Sequence, residues 1–160
     1  MIDKYTPLMS GLEWRPIGRN VMKIKVKYRD KMPEIEKHGD LFDLATSETV
    51  TIASGNVKLI DLGVAIELPE GCYAKVYPRS STPLKWHVLM ANSVGIIDND
   101  YCGDEDWWKF PAYAIDSVTI PKHTRIAQFE ICKADNADVK IEKVARLSAN
   151  NRGGFGSTGE

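Results

Sequence analysis

The sequence has no excess of charge of either sign. Its 21 lysines and arginines nearly balance 22 aspartates and glutamates, which leaves a formal net charge of −1. Proteins that bind nucleic acids or anionic membrane surfaces usually carry a basic excess or a basic run. We therefore expect neither nucleic acid nor a membrane as a partner, and any phosphate must be bound by a local site.

Long apolar runs and paired cysteines are also missing. The first residues, MIDKYTPLMS, lack the apolar stretch of a signal peptide, and no segment approaches membrane-spanning length. Cys72, Cys102 and Cys132 form no CxxC pair, and their odd number argues against a secreted disulfide framework. These features predict a cytoplasmic protein with reduced thiols.

Strand patterns dominate what is present. Residues 22–28 alternate apolar with charged side chains, the period of a half-buried strand. Similar short segments, separated by turn residues, occupy 50–52, 57–68, 73–78, 94–98, 114–120, 125–131 and 139–144. Only residues 82–92 could form a helix, and a short one. The pattern predicts an all-β fold, a jelly-roll-like β-barrel of short strands with at most one short helix.

The two ends differ from the body of the chain. Residues 1–21 have no clear period, and we interpret them as an N-terminal extension, natural or artificial, before a barrel domain at 22–148. Residues 149–160 contain four glycines, whose backbone entropy disfavours a core element and predicts a mobile tail. Composition alone favours a solvated tail, but Arg152 suits a phosphate and Phe155 suits stacking.

Four further segments carry candidate chemistry. Arg79, Ser80 and Ser81 follow a strand and could cradle a phosphate. Residues 94–101 end in an acidic turn, in which one aspartate could act as a general base on water. The segments GDLFDLAT (39–46) and RIAQ (125–128) have the pattern of ordinary strands. Taken singly, each segment is better explained as an ordinary loop, turn or strand than as a functional site.

Together and in order, the segments FDLA, PRSS, NSVGIIDNDYCG, RIAQ and RGGFGSTG resemble the five motifs of the homotrimeric dUTPase family. The resemblance extends from about Met22 to Gly159. The stretch GDEDWWKFPAYA is similar to the type found in Gram-positive bacteria and their phages. The resemblance implies an enzyme that hydrolyses dUTP to dUMP and pyrophosphate. Such an enzyme would keep uracil out of DNA and supply dUMP for dTMP synthesis.

The resemblance also implies a role for individual residues. Asp98 would hold the water that attacks the α-phosphorus. The residues implied to contact dUTP are Arg79, Ser80, Ser81, Asn92, Gly95, Ile96, Ile97, Tyr101, Gln128, Arg152, Phe155, Gly156, Ser157 and Thr158. Among them, residues 152–158 would come from a neighbouring subunit of the trimer, and Phe155 would stack on uracil.

A magnesium ion is the cofactor that the resemblance implies. Mg²⁺ would chelate all three phosphates, and no direct protein ligand is expected. Asp43 and Gln128 would act on it through its waters. This agrees with the tendency of Mg²⁺ to retain waters and to bind substrate phosphates.

Alternatives remain at this point. A dCTP deaminase shares the fold and the RSS and AQ features, and a phage module could bind dUTP and a phage regulatory protein without catalysis. The insertion at 104–110 brings Trp107, Trp108 and Phe110 near the motif-three hairpin, where they pack in the core or an interface, or replace Phe155 on the base. Asp40-Leu41 and His123 depart from the family pattern.

Overall fold

The computed structural model describes residues 21–135 and 139–148 of the 160-residue chain. Twelve strands and one short helix occur in these ranges. In chain order they are β1 (Lys25–Tyr28), β2 (Lys37–His38), β3 (Leu41–Ala45), β4 (Val50–Ile52), β5 (Val57–Asp61), β6 (Val64–Glu67), β7 (Cys72–Pro78), α1 (Thr82–Trp86), β8 (Val88–Met90), β9 (Gly95–Ile97), β10 (Lys109–Ala114), β11 (Val118–Ile120) and β12 (Arg125–Lys133).

The described strands form four antiparallel sheets. The largest has the order β2-β3-β12-β7-β9, and a three-stranded sheet has the order β5-β10-β8. Two pairs, β1-β6 and β11-β4, complete the set. The many non-consecutive neighbours agree with the predicted jelly-roll-like barrel, in which strands distant in sequence pair across the fold.

Alternating burial along the strands creates the core. Cys72, Ala74 and Val76 of β7 are buried while their neighbours are partly exposed, which is the period of a strand with one face inward. Phe129 of β12 lies at the centre. Its ring stacks on Phe42 at 5.2 Å and meets Trp108 edge-on at 5.2 Å. The aromatic cluster fixes the five-stranded sheet against the rest of the barrel.

Several predicted boundaries need correction. The predicted strand at 57–68 is two strands in different sheets, because the chain turns at Gly63, whose φ is +66°. The predicted helix at 82–92 ends at Trp86, since His87 adopts φ +51° and β8 follows. Two strands, β2 and β8, are too short to have shown a period of their own.

The predicted strand at 139–144 is wrong for this chain. Residues 139–148 contain no regular element, and the side chain of Ile141 is 96% exposed. Val139 and Val144 are also exposed, so the apolar residues that suggested a strand are not buried against any described part of the chain. The N-terminal extension, except for Val21, and the tail at 149–160 lie outside the described residues. No helix within the described ranges is long and apolar enough to cross a membrane.

Candidate active site

Asp43, Gln128 and Tyr77 stand side by side on one face of the five-stranded sheet. Gln128 of β12 is in register with Asp43 of β3 on one side and with Tyr77 of β7 on the other. Two segments that looked like ordinary strands, FDLA and RIAQ, are therefore neighbours. Their polar residues share a face because residues in register on adjacent strands point the same way.

The loop after β7 is fixed to β12 beside this row. The backbone N–H of Arg79 donates to the carbonyl of Ile126 at 3.1 Å, and the Thr82 hydroxyl donates to the same carbonyl at 2.6 Å. Gln128 Nε2 donates to the carbonyl of Pro78 at 3.2 Å. These bonds place Arg79 next to Asp43, with Ser80 exposed and Ser81 partly buried just beyond it.

The Asp43 carboxylate is buried beside two arginines and a histidine. Its side chain is 2% exposed, and Oδ1 lies 3.1 Å from Arg79 Nε. His38 Nδ1 lies 3.1 Å and Arg125 Nη1 3.7 Å from Oδ2. These contacts are within ion-pair range, yet Oδ2 accepts no hydrogen bond from any described residue. A buried carboxylate needs nearby basic groups to offset the cost of removing it from water. In Asp43, Oδ2 remains available to accept a hydrogen bond.

Sequence reasoning missed two members of this cluster. His38 lies on the two-residue edge strand β2, and Arg125 begins β12, where it also pairs with Glu36 at 3.0 Å. Arg125 stood in the RIAQ segment without a role. Nothing in the sequence indicates His38, because its approach to Asp43 depends on the β2-β3 pairing. A cavity of about 390 Å³ adjoins Asp43 and Arg125 and is lined on its other side by residues 31–36.

Tyr77 extends the same polar face. Its hydroxyl donates to Glu130 Oε1 at 2.7 Å. That hydrogen bond, together with desolvation and the negative charge of Glu130, raises the pKa of Tyr77 to about 12. The phenol therefore keeps its proton at neutral pH and remains a donor to Glu130. This pair borders Gln128 on the sheet face.

The acidic hairpin lies at the far edge of the same sheet. β9 pairs with β7, with Gly95 opposite Val76 and Ile97 opposite Ala74. Gly95 occupies a tight position, because a Cβ there would lie 3.2 Å from Val76 Cβ and 3.0 Å from the Met90 methyl, and these neighbours would have to shift. Asn92, before the strand, is exposed, and Ile96 on it is 53% exposed.

Asp98 follows β9 directly, and its side chain faces solvent. The N–H of Tyr101 donates to the Asp98 carbonyl at 3.2 Å and closes the turn. Tyr101 is 40% exposed, and its hydroxyl donates to the carbonyl of Trp107 at 3.4 Å. The structure thus brings the predicted motif-three residues together on one exposed hairpin.

The two clusters are separated within one chain. Ile97 is opposite Ala74, and Pro78 lies four residues farther along β7. At the rise of a β-strand these positions are roughly 13 Å apart, and the chain diverges further toward Asp98 on one side and Arg79 on the other. The segment around Asp98 and the loop 79–81 therefore cannot act on one small group from within the same chain.

The aromatic residues of the 104–110 insertion are buried. Trp108 and Phe110 belong to the core at 1% and 0% exposure. The Trp107 ring is covered by Arg29, whose Cζ is 4.1 Å from the ring centroid, and its Nε1 donates to Glu105. That hydrogen bond lowers the pKa of Glu105. All three residues are therefore buried within this chain.

The predicted tail residues Arg152, Phe155, Gly156, Ser157 and Thr158 lie outside the described residues. Among the residues that are described, no group of three or more His, Cys, Asp or Glu side chains is placed to hold a metal ion.

The sequence of this chain matches a family model and several known proteins. The family model of dUTPase matches residues 30–159. The chain is 49% identical over 141 residues to the SPbeta prophage-derived deoxyuridine 5'-triphosphate nucleotidohydrolase YosS of Bacillus subtilis, covering 86% of this chain and 99% of that protein. It is 40% identical over 139 residues to a deoxyuridine 5'-triphosphate nucleotidohydrolase of Crocosphaera subtropica, covering 85% and 96%.

Solved structures show the same fold. A dUTPase of Staphylococcus bacteriophage 80alpha has a TM-score of 0.69 at 22% identity, covering 86% of this chain and 98% of that one. The dUTPase of Streptococcus mutans has a TM-score of 0.63 at 22% identity, covering 74% and 98%. The family match spans nearly the whole described chain, and all five motifs fall inside the matched residues 30–159. The chain belongs to the dUTPase family.

Proposed function

We propose that this chain hydrolyses dUTP to dUMP and pyrophosphate. Support comes from its relatives, which carry the name deoxyuridine 5'-triphosphate nucleotidohydrolase and are matched over almost their full length. The observation that carries the proposal is the cluster at the end of β7. There a buried carboxylate, an arginine and an amide from three separate motifs converge next to two hydroxyl groups.

The loop 79–81 would bind the phosphates. Arg79 is anchored through its Nε to Asp43 and through its Nη1 to the carbonyl of Arg125, which leaves Nη2 to donate to anionic oxygens. Ser80, exposed at the same loop, would contact the α-phosphate, and Ser81 would add a second hydroxyl. Gln128, held by the Pro78 carbonyl, completes the polar face.

Asp98 would act as general base. Its exposed carboxylate can accept a proton from a water molecule, and the oxygen of that water then attacks the α-phosphorus. Pyrophosphate leaves with the electron pair of the broken P–O bond. Asn92 and the backbone of 95–97 would read the uracil edge, and Tyr101 would pack against the deoxyribose.

Mg²⁺ fits this site as an ion carried by the substrate. Asp43 Oδ2 is a buried acceptor without a hydrogen bond from a described residue, so it has capacity for a water of the hydrated ion. Gln128 is the second residue proposed to act through such waters. When bound, Mg²⁺ would neutralise charge on the triphosphate. The protein's own part is to hold Arg79 and the two serines in place.

A homotrimer is part of the proposal, because one chain does not bring the two clusters together. Ser80 and Asp98 must both approach the same phosphorus, whereas the β7-β9 register separates their loops by more than about 13 Å. A neighbouring copy would supply the hairpin. We further propose that a subunit contributes Arg152, Phe155, Gly156, Ser157 and Thr158 to a neighbour's site, with Phe155 on the base.

We also propose a cytoplasmic location, which the sequence patterns described above favour. The boundaries of a barrel at 22–148, an N-terminal extension and a lid at 149–160 are likewise proposed. A phage regulatory protein as a further partner stays a prediction, and neither a dCTP deaminase nor a non-catalytic module is favoured by the relatives.

The test is an incubation of the full chain with each deoxynucleoside triphosphate and Mg²⁺. Pyrophosphate and ammonia are measured separately. We expect pyrophosphate from dUTP, with dCTP, dTTP and UTP at least about 100-fold slower because uracil and deoxyribose are both recognised. Faster ammonia release from dCTP would indicate a deaminase. Binding of dUTP without turnover would leave only the regulatory alternative.

A further inference from the structure

Asn99 follows the proposed general base directly. Asp98 is exposed, whereas Asn99 is partly buried. The last paired residue of β9 is Ile97, so the backbone leaves the sheet at this point. Contacts other than the strand ladder must therefore hold the segment 98–101 in place.

The Asn99 side chain supplies two such contacts. Its Nδ2 donates to the carbonyl of Pro69 at 2.8 Å and to the carbonyl of Cys72 at 2.9 Å. Both distances are typical of good N–H···O hydrogen bonds. An asparagine amide nitrogen has two protons, so each carbonyl receives one of them. The donor capacity of this nitrogen is fully used within the protein.

The acceptors lie on a rigid turn. The turn at 69–72 is closed by a hydrogen bond from the Cys72 N–H to the Pro69 carbonyl at 3.1 Å, and Gly71 adopts φ +69° in it. The N–H of Ala134, just after β12, donates to the Gly71 carbonyl at 2.7 Å. The turn is thus tied to the two central strands, β7 and β12.

We propose that Asn99 is a positioning residue for Asp98. Its amide clamps the hairpin loop onto the 69–72 turn, while the Tyr101 N–H holds the Asp98 carbonyl from the other side. The proposal rests on the proposed function, in which Asp98 activates water. The Asn99 clamp acts through the backbone and touches no substrate. Its loss leaves the Asp98 carboxylate present but displaced, and a displacement of about 1 Å can cost about 100-fold in rate.

Two substitutions separate hydrogen bonding from packing. Asn99→Ala removes both donors. Asn99→Asp keeps the side-chain shape but directs a carboxylate at two carbonyl oxygens, so we expect it to be the more damaging change. Asn56 provides the matched control, because its Nδ2 also faces two backbone carbonyls, at 3.4 Å each, in the turn between β4 and β5.

Amide hydrogen exchange tests the clamp without any assay of activity. In both Asn99 variants the amide of Tyr101, which donates to the Asp98 carbonyl, should exchange about tenfold faster or more, since local opening controls its protection. The variants Asn56→Ala and Asn56→Asp should leave the exchange of this amide unchanged. Unchanged protection in the Asn99 variants would overturn the clamp.

Steady-state kinetics with dUTP and Mg²⁺ then test the positioning role. We expect kcat to fall about 10- to 100-fold in Asn99→Ala and further in Asn99→Asp, with KM within about threefold of wild type. A role in stability alone would lower the melting temperature and leave kcat intact, and that result would overturn the proposal. A wild-type protein without dUTP turnover would instead refute the proposed function, while hydrogen exchange would still decide the clamp.

Discussion

Arg79 Nε lies 3.1 Å from Oδ1 of the buried Asp43, so the motif-one carboxylate orients the motif-two arginine within one chain. The guanidinium is engaged at a second nitrogen as well, because Nη1 donates to the carbonyl of Arg125 at 3.4 Å. The arrangement restricts its guanidinium to a narrow range of orientations, which suits recognition of a fixed phosphate.

Asp43→Asn tests this relationship. The amide cannot neutralise Arg79 and accepts more weakly from waters of the bound ion. We expect kcat/KM for dUTP to fall about 10- to 100-fold, as for partners of metal-bound waters, and the half-saturating Mg²⁺ concentration to rise. Asp40→Asn, an exposed carboxylate three residues earlier, is the control. Normal kinetics at limiting Mg²⁺ in Asp43→Asn would refute the role assigned to this carboxylate.

Asp98→Asn should separate binding from turnover. The amide keeps the size of the side chain but cannot take a proton from water. We expect kcat to fall at least about 100-fold, while the affinity for a non-hydrolysable dUTP analogue changes little. Asp100→Asn in the same hairpin serves as the control. Turnover within tenfold of wild type in Asp98→Asn would mean that another group activates the water.

Deletion of residues 151–160 should cripple catalysis and leave assembly intact. The reason is that the proposed lid supplies Arg152 and Phe155 to the site but no part of the described barrel. Pyrophosphate release measures the first effect, and light scattering measures the oligomer. Phe155→Ala should reproduce part of the loss, whereas Trp107→Phe should not, since Trp107 is covered by Arg29. A normal rate after deletion would indicate that aromatic residues of the 104–110 segment, and not the tail, cover the base.

The pair between Arg29 and Asp61 predicts a pH-dependent contribution to stability. Burial alone would raise the pKa of Asp61, but hydrogen bonds from Arg29 and from the Gly63 N–H outweigh it, and the pKa is lowered. The same bond raises the pKa of Arg29. Because the folded pKa of Asp61 lies below the unfolded value of about 4, the pair stabilises the fold above that pH. The contribution disappears as the pH falls through the folded pKa.

Asp61→Asn should therefore lower the free energy of unfolding by about 1–2 kcal/mol at pH 7, a value reduced for the partial exposure of Arg29. The difference from wild type should shrink as the pH falls below about 4. Urea denaturation at several pH values measures both. Glu67→Gln, which breaks the exposed pair with Lys25, should cost less than about 1 kcal/mol. A constant difference across this pH range would contradict the assignment.

The sequence predicted the strands along which buried and exposed residues alternate. It missed short strands that are defined only by pairing with a neighbouring strand. The predicted strand at 73–78 matches β7 except for Cys72, which the prediction left out, because one face of that strand is core. The strand β8 has three residues and exists through its pairing with β10, which no local pattern encodes. The reverse error occurred at 139–144, where a strand pattern has no partner in the described chain.

The residues of the candidate site also fall into two groups, those that the sequence predicted and those that depend on contacts in the folded chain. Asp43, Arg79 and Gln128 were singled out because they lie in motifs, and the structure does bring them together. His38 and Asn99 act through contacts set by tertiary structure, with no signal in the sequence. His123 has φ +63°, a conformation that the glycine expected at this position adopts without strain, and nothing in the structure explains the histidine.

Hydrolysis of dUTP in ¹⁸O-labelled water identifies the phosphorus atom that the water attacks. If water activated at Asp98 attacks the α-phosphorus, the label must appear in dUMP and not in pyrophosphate. Mass spectrometry of the two products after a single turnover, with Mg²⁺ present, distinguishes the two positions. One ¹⁸O atom in each dUMP is the expected result. Label in pyrophosphate would place the attack on the β-phosphorus and would contradict the roles given to Asp98 and Ser80.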